Sequence, residues 1–217
     1  ENYLKALKNY GVIIKSPGIP IHLSEVEKAY REKKITSQTE IFFENCPGKI
    51  IGITGTKGKS TTAALIYAIL KKGGIKAHLV GNIGKPVLNL LLSASPVDVY
   101  VYELSSHQLY NLKKSPHIAV LLNVYREHLD YYRNFKEYIS AKMNIARYQT
   151  EEGYFIFNSQ DKNIKNLLLG ITSRAGYRGK RMPIRGKYYE LDIAAATAIA
   201  KIFKIPAKTI KKAISEF

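Results

Sequence analysis

Cysteine is nearly missing from this 217-residue chain, where Cys46 stands alone. A single thiol excludes an internal disulfide framework and fits a reducing cytosol. No stretch approaches the roughly 18 consecutive apolar residues of a membrane-spanning helix, so a soluble protein without a membrane span is expected. Internal repeats and low-complexity segments are also missing, and a composition of 46% hydrophobic and 24% charged residues excludes a disordered or collagen-like chain. The chain opens Glu-Asn-Tyr-Leu-Lys, with neither an initiator Met nor the charged-then-apolar pattern of a secretory signal. Such a start is expected of a processed chain or a fragment. Acidic residues are scarce: 17 Asp and Glu face 34 Lys and Arg, a formal net charge of +17. That balance points to a polyanionic partner: nucleic acid, an anionic membrane surface or phosphorylated small molecules. No RNA-binding aromatic motif or helix-turn-helix signature accompanies it, and the 16 tyrosines are scattered, so nucleic acid is not the expected partner.

What is present suffices for a real core, since 46% of the residues are hydrophobic. Residues 11–48 read as a small α/β piece: a strand at Gly11–Ile14, a turn at Ser16–Pro20, and a helix to about Lys33 with Ser24 as its N-cap. From Lys49 onward, strands alternate with helices. Strands are expected at Lys49–Thr54, Ala77–Val80, Val97–Glu103, Ile118–Leu122 and Tyr154–Asn158. Helices are expected at Ser60–Lys72, Val87–Leu92, Phe135–Tyr148, Lys162–Leu169, Leu191–Phe203 and Ala207–Glu216. Continuous apolar strands between helices indicate a mostly parallel sheet covered on both faces. Residues 171–187 hold six Lys or Arg among Gly and Pro and read as a loop or linker.

The strongest chemical signal is Gly52-Ile53-Thr54-Gly55-Thr56-Lys57-Gly58-Lys59-Ser60-Thr61. A strand runs into a glycine-rich turn, and Lys-Ser-Thr opens a helix. In such a phosphate loop the glycines let backbone N–H groups curl around phosphate oxygens and the helix N-terminus adds partial positive charge. Lys59 would reach the β/γ-phosphates, and the Ser60 hydroxyl is offered to Mg²⁺. The strict Walker spacing needs Gly at 53, where Ile53 stands; the glycines fall at 52, 55 and 58. The remaining candidates follow the carboxyl ends of the other strands, where open parallel sheets bind ligands. They are Gly81-Asn82, then Glu103 with Leu104-Ser105-Ser106-His107-Gln108, then Asn123 with His128 and Asp130 beyond it. A carboxylate at a strand end facing a phosphate loop is well placed for a hard cation.

These stretches occur in order with Ser16-Pro17-Gly18-Ile19-Pro20, Ala141-Lys142 and Asn158–Asp161. Together they resemble the ATP-dependent Mur ligases of cell-wall synthesis, and within them the branch that adds D-glutamate to UDP-N-acetylmuramoyl-L-alanine. Folylpolyglutamate synthetases share the Gly-Thr-Lys-Gly-Lys loop but are not expected to share the Ser-Pro-Gly-Ile and Glu-Leu-Ser-Ser-His-Gln-Leu pairing.

The resemblance implies a partial amino-terminal UDP-substrate domain over residues 1–47 and a central ATP-binding domain over 48–217, with the third ligase domain absent. The chain alone would then hold Mg-ATP without turning over; a truncated, non-catalytic Mg-ATP binder is the alternative. The implied reaction is phosphorylation of the alanine carboxylate by ATP, followed by attack of the D-glutamate amine on the acyl phosphate. Gly55, Thr56, Lys57, Gly58, Lys59, Ser60 and Thr61 would hold ATP. Ser60 and Glu103 would ligate one Mg²⁺, and His128 and Lys142 a second, with Lys142 carbamylated; Lys59, His128 and Lys142 would be the catalytic set. Asn82, Ser105 and Ser106 would line the muramoyl-alanine site. The partners implied are these small molecules, in a cytoplasmic monomer. One departure stands out. The Gly-x-His-Asn-x-x-Asn-Ala run of the family, whose Asn residues contact the nucleotide, is here Gly186-Lys187-Tyr188-Tyr189-Glu190-Leu191-Asp192-Ile193-Ala194. Asp192 is the one residue of that stretch left as a nucleotide-contact candidate.

Overall fold

The computed structural model describes residues 2–81, 87–171 and 179–217. In chain order the elements begin with α1 (Asn2–Ala6), a 3-10 turn at Leu7–Asn9, β1 (Ile13–Ile14), α2 (Ser24–Arg31), β2 (Ile35–Thr36) and α3 (Gln38–Asn45). They continue with β3 (Lys49–Thr54), α4 (Lys59–Lys72), β4 (Ala77–Val80), a 3-10 helix at Val87–Ser93 and β5 (Val99–Glu103). Then come α5 (Ser106–Leu109), β6 (Ile118–Leu121), α6 (Phe135–Arg147), β7 (Tyr154–Asn158) and α7 (Lys162–Ile171), and last β8 (Lys180–Ile184), α8 (Tyr189–Ile202) and α9 (Ala207–Ser215).

The main sheet has six parallel strands in the order β4-β5-β3-β6-β7-β8. The expected α/β architecture is therefore present. Side chains alternate across a strand, and here both faces are buried. Ile51 and Ile53 of β3, Val99 and Val101 of β5, and Ile118 and Val120 of β6 pack in one core with α4, α8 and α9. Their neighbours Ile50, Tyr100, Tyr102, Ala119 and Leu121 pack in the other, with α6 and with Phe42 and Phe43 of α3. That is why these strands read as continuous apolar runs rather than alternating ones. α4 buries Leu65, Ile66, Ile69 and Leu70 almost completely, each worth roughly 1.5–3 kcal/mol of transfer free energy. It anchors the end of the phosphate loop to the middle of the sheet.

Strand order reverses at β3, which lies between β5 and β6. Their carboxyl ends therefore open a crevice there, the usual ligand position in such sheets.

Three local readings differ from expectation. Residues 180–184 are not loop but the edge strand β8, paired from Tyr154↔Lys180 to Asn158↔Ile184. Lys180, Arg181 and Pro183 hide a strand from pattern reading, yet an edge strand tolerates charge and proline. Ser24 does not cap α2. It is the first helical residue, Leu23 holds the cap position without a side-chain bond, and Ser24 Oγ donates to Glu25 instead. α3 went unread, although its Ser37-Gln-Thr-Glu40 start carries a capping signature: Glu40 N donates to Ser37 Oγ at 3.1 Å. Of the cluster in 171–187, Arg174 and Arg178 lie outside the described residues, as does Asn82. Among the described residues no helix is long and apolar enough to cross a membrane.

Candidate functional site

The loop between β3 and α4 is held from beneath by one side chain. Asn123, just past β6, accepts at Oδ1 from Thr56 N (3.0 Å) and Lys57 N (2.8 Å), and its Nδ2 donates to Lys57 O (3.0 Å). Gly58 takes the N-cap of α4 at φ +85°, a left-handed conformation that glycine adopts without strain. A Cβ there would lie 2.8 Å from Asp192 Oδ1. Asp192, buried in α8, accepts from Thr62 Oγ1 at 2.6 Å. Burial pushes its carboxyl above the usual range, opposed by that hydrogen bond. Thr56 Oγ1 meets Tyr138 OH at 3.0 Å and accepts from Tyr125 N at 2.9 Å. The loop is thus pinned to β6, α6 and α8.

Its cations divide by exposure. Lys57 points outward, 3.2 Å from Glu127. Lys59 folds back over the turn and donates to Gly55 O (3.1 Å) and Thr56 O (3.2 Å). An ammonium held on the loop's own carbonyls lies where phosphate oxygens would replace them as acceptors. Thr61 follows, half-buried, in the first turn of α4.

Ser60 Oγ donates to Glu103 Oε2 at 2.9 Å. The contact follows from the sheet: Ile53 and Glu103 are partners in the β3–β5 register, so the carboxylate emerges beside the loop. Gly81, at φ +121°, comes so close that a Cβ would meet Glu103 O at 2.5 Å, which excludes any side chain there. A hydroxyl and a carboxylate at a helix N-terminus form a hard-oxygen pair suited to Mg²⁺. Among the described residues no group of three or more His, Cys, Asp or Glu could hold a metal ion. A cation on Ser60 and Glu103 would therefore complete its shell with water and phosphate oxygens, which is how Mg²⁺ is commonly held.

Lys142 reaches the same loop from α6. It is almost fully buried, and its Nζ donates to Gly55 O at 2.9 Å and lies 4.8 Å from the centre of the Tyr138 ring. Burial, with the nearby Lys59 charge adding to it, lowers its pKa to about 7, so a large share of the amine is neutral at neutral pH. Tyr138 lies four residues earlier on the same helix face, a spacing that links Lys142 to Thr56 and that sequence reading passed over.

His128 has a left-handed backbone, φ +56°, and a half-exposed ring. Its ring centre lies 6.3 Å from that of Tyr138 and 4.9 Å from that of His107. His107, packed at 4.2 Å against Tyr131, is lowered to about 4 by burial, with the His128 and Lys142 charges adding to it. It is neutral at neutral pH. Ser105 is committed locally. Its Oγ accepts from Gln108 N (3.2 Å) while its own N donates to Gln108 Oε1 (2.8 Å), a capping box that starts α5; Ser106 beside it is buried.

The structure thus joins the 55–60 loop, Glu103 and Lys142 by direct hydrogen bonds and sets His128 near them across Tyr138. Beside the loop opens a cavity of about 770 Å³, whose lining includes Lys57, Gly58, Asn158, Gln160, Tyr188 and Asp192.

Residues 53–214 match the family described as Mur ligase middle domain. The UDP-N-acetylmuramoylalanine–D-glutamate ligase of Acetivibrio thermocellus is 43% identical over 159 residues, 73% of this chain and 34% of that protein. Its counterpart in Clostridium acetobutylicum is 42% identical over 168 residues, 77% of this chain and 36% of that protein. The chain spans about a third of the length of the curated relatives it matches. Two solved structures share the fold. One is a UDP-N-acetylmuramate:L-alanyl-gamma-D-glutamyl-meso-diaminopimelate ligase from Neisseria meningitides, with a TM-score of 0.67 at 15% identity, covering 99% of this chain and 81% of that one. The other is MurF ligase from Thermotoga maritima in complex with ADP, with a TM-score of 0.56 at 16% identity, covering 95% and 58%.

Proposed function

This chain belongs to the Mur ligase family, and from that premise we propose that it carries the ATP-binding segment of a ligase joining D-glutamate to UDP-N-acetylmuramoyl-L-alanine. The observation that carries the reading is the Ser60–Glu103 contact: a phosphate loop and an acidic strand end within 2.9 Å of each other, on adjacent strands at the point where strand order reverses. The division into a partial amino-terminal piece over 1–47 and an ATP-binding unit over 48–217 belongs to the same proposal.

A carboxylate is a poor acylating agent, and phosphoryl transfer from ATP gives it a leaving group that the D-glutamate amine then displaces. This chain's part is to bring polyanions together and neutralise their charge. Residues 55–61 would hold the phosphates, through the Lys59 ammonium and the N–H groups of the loop other than those of Thr56 and Lys57, which donate to Asn123. Ser60 and Glu103 would hold one Mg²⁺, and by the resemblance His128 and Lys142 would hold another. When bound, Mg²⁺ supplies charge neutralisation for phosphoryl transfer. Lys142 takes this role as a carbamate: its neutral amine adds to CO₂, forming an N–C bond and releasing one proton, and the product is an anionic oxygen ligand. Burial of Lys142 supports that step because it favours the uncharged amine. Ser105 and Ser106 would contact the muramoyl-alanine substrate, and the resemblance gives the same role to Asn82, which lies outside the described residues. The protein acts as a cytoplasmic monomer on small molecules, without a membrane span and with no nucleic-acid partner.

The test is phosphate release from ATP by the full-length protein in the presence of UDP-N-acetylmuramoyl-L-alanine, D-glutamate, both or neither. Release that requires both supports the reading. Nucleotide binding without release under any combination leaves a non-catalytic Mg-ATP binder, and release stimulated by nucleic acid rejects the proposal.

A further inference from the structure

Unpaired positive charge gathers at the end of the sheet opposite the phosphate loop. At the loop the lysines are engaged: Lys57 with Glu127, Lys59 with the carbonyls of Gly55 and Thr56, and Lys142 with Gly55 O. At the amino ends of the strands they are not. Lys49 and Lys180 open β3 and β8, and both are exposed. β3 and β4 both run parallel to β5, so α4 between them returns against the strands and its last turn brings exposed Lys71 to the same end. The end of α8 lies there too, since Ile202 and Phe203 line one cavity of about 530 Å³ together with Lys49, Tyr148 and Lys180. Exposed Lys201 and Lys204 flank that pair. None of these lysines forms an ion pair among the described residues. The carboxylates nearby are fewer: Asp98 pairs with Lys76 at 2.9 Å and Glu216 with Lys72, which leaves Glu44 at the end of α3 and Glu151 and Glu152 before β7.

Helix ends account for part of this charge, because a lysine in the last turn offsets the helix dipole, as at Lys71 and Lys201. That effect does not extend to strand starts, so Lys49 and Lys180 gain nothing from it. Apolar surface lies among the cations. Val97 is 75% exposed in the turn before β5, where Asp98 O accepts from Lys49 N, and Tyr148 is 42% exposed at the end of α6. Guanidinium forks suit fixed phosphates held bidentately, whereas ammonium groups on flexible stems act as point charges. A set made of lysines, with a tyrosine and an aliphatic side chain between them, has the composition of a surface that meets lipid head groups.

We propose that this amino-end face docks on an anionic lipid bilayer, with Lys49, Lys71, Lys180, Lys201 and Lys204 over the head groups and Val97 and Tyr148 at the interface. β3 separates the two ends by its six residues, about 20 Å. The phosphate loop then faces away from the bilayer and stays open to soluble ligands. Docking is independent of what the loop binds, and it gives the charge excess a partner that the loop does not supply.

The experiment is co-sedimentation with phosphatidylcholine vesicles, with and without phosphatidylglycerol. It compares the protein with two variants that lose equal charge: Lys49→Gln/Lys180→Gln/Lys201→Gln at the amino end and Lys28→Gln/Lys136→Gln/Lys165→Gln elsewhere. Binding is expected only with phosphatidylglycerol and weakens as salt rises. The first variant should bind about a hundredfold more weakly, at about fivefold per lysine, and the second less than about tenfold. The chain has no Trp, so an introduced one reports position. The fluorescence of Val97→Trp should shift to the blue on the anionic vesicles, and that of Leu129→Trp, on the phosphate-loop side, should not; this pair reads the docked face even if a triple variant unfolds. Equal weakening of the two folded triple variants, a blue shift in Leu129→Trp alone, or no binding to anionic vesicles overturns the proposal. Duplex DNA bound through the same lysines, with vesicles left unbound, assigns the face to nucleic acid instead.

Discussion

The two walls of the 770 Å³ cavity are built on different rules. The phosphate-loop wall is fixed by geometry: a left-handed glycine against a carboxylate and one asparagine bracketing two backbone N–H groups, with a lysine buried against a loop carbonyl behind it. The opposite wall, from the end of β7 and from the turn that leads into α8, carries an uncapped helix start and exposed tyrosines. The first wall leaves its residues few alternatives and the second leaves many. A motif therefore survives on one side, while the composition of the other departs from the family pattern.

That contrast can be broken by measurement. The largest effect is expected at Lys142. Its amine titrates near 7 in the folded chain against an ordinary 10.5. Between those values the unfolded chain binds a proton that the folded chain refuses. Stability should therefore rise with pH from about 7 to about 10.5 and be level below about 7. Lys142→Met should abolish that limb and raise stability at pH 7 by a net of roughly 2–4 kcal/mol, allowing for the lost Gly55 hydrogen bond. Urea unfolding across this pH range in CO₂-free buffer reads it. A wild-type profile flat over the window would show a charged lysine in the fold.

Asn123→Ala comes next. It strips partners from Thr56 and Lys57 and should cost roughly 2–3 kcal/mol, whereas Gln160→Ala on the facing wall loses its bond to Gly186 and should cost about 1 kcal/mol. Equal costs in urea unfolding would erase the difference between the walls. Gly58→Ala places a Cβ against Asp192 at positive φ, for a loss of roughly 1–2 kcal/mol, measurable as a lowered Tm. The smallest change is Lys187→Ala on the exposed rim, within about 0.5 kcal/mol by the same measurement.

Legibility followed the same division. Where side chains face two buried cores, as in β3, β5 and β6, the apolar run was readable and the strands lie close to where it placed them. β8 was not readable, because an edge strand carries little apolar signal and Pro183 argues against one. In the site, the Ser60–Glu103 proximity follows from strand ends in a parallel sheet. The bracket made by Asn123 depends on which loop β6 happens to reach, and local spacing holds no trace of it. Lys142 on its own reads as a solvated helix lysine. Its burial against Gly55 comes from the packing of α6, which a one-dimensional pattern does not contain. The excess of cations remains mostly at the surface. Of the loop's two lysines, Lys59 lies folded over it while Lys57 pairs with Glu127.

The most direct test is calorimetric titration of ATP into the protein with Mg²⁺ and with chelator, repeated with Glu103→Gln. The account predicts affinity that depends on Mg²⁺ and falls at least about tenfold in Glu103→Gln, with metal-free binding little changed by the substitution. ATP affinity that is the same with and without Mg²⁺, and the same in Glu103→Gln, would contradict it.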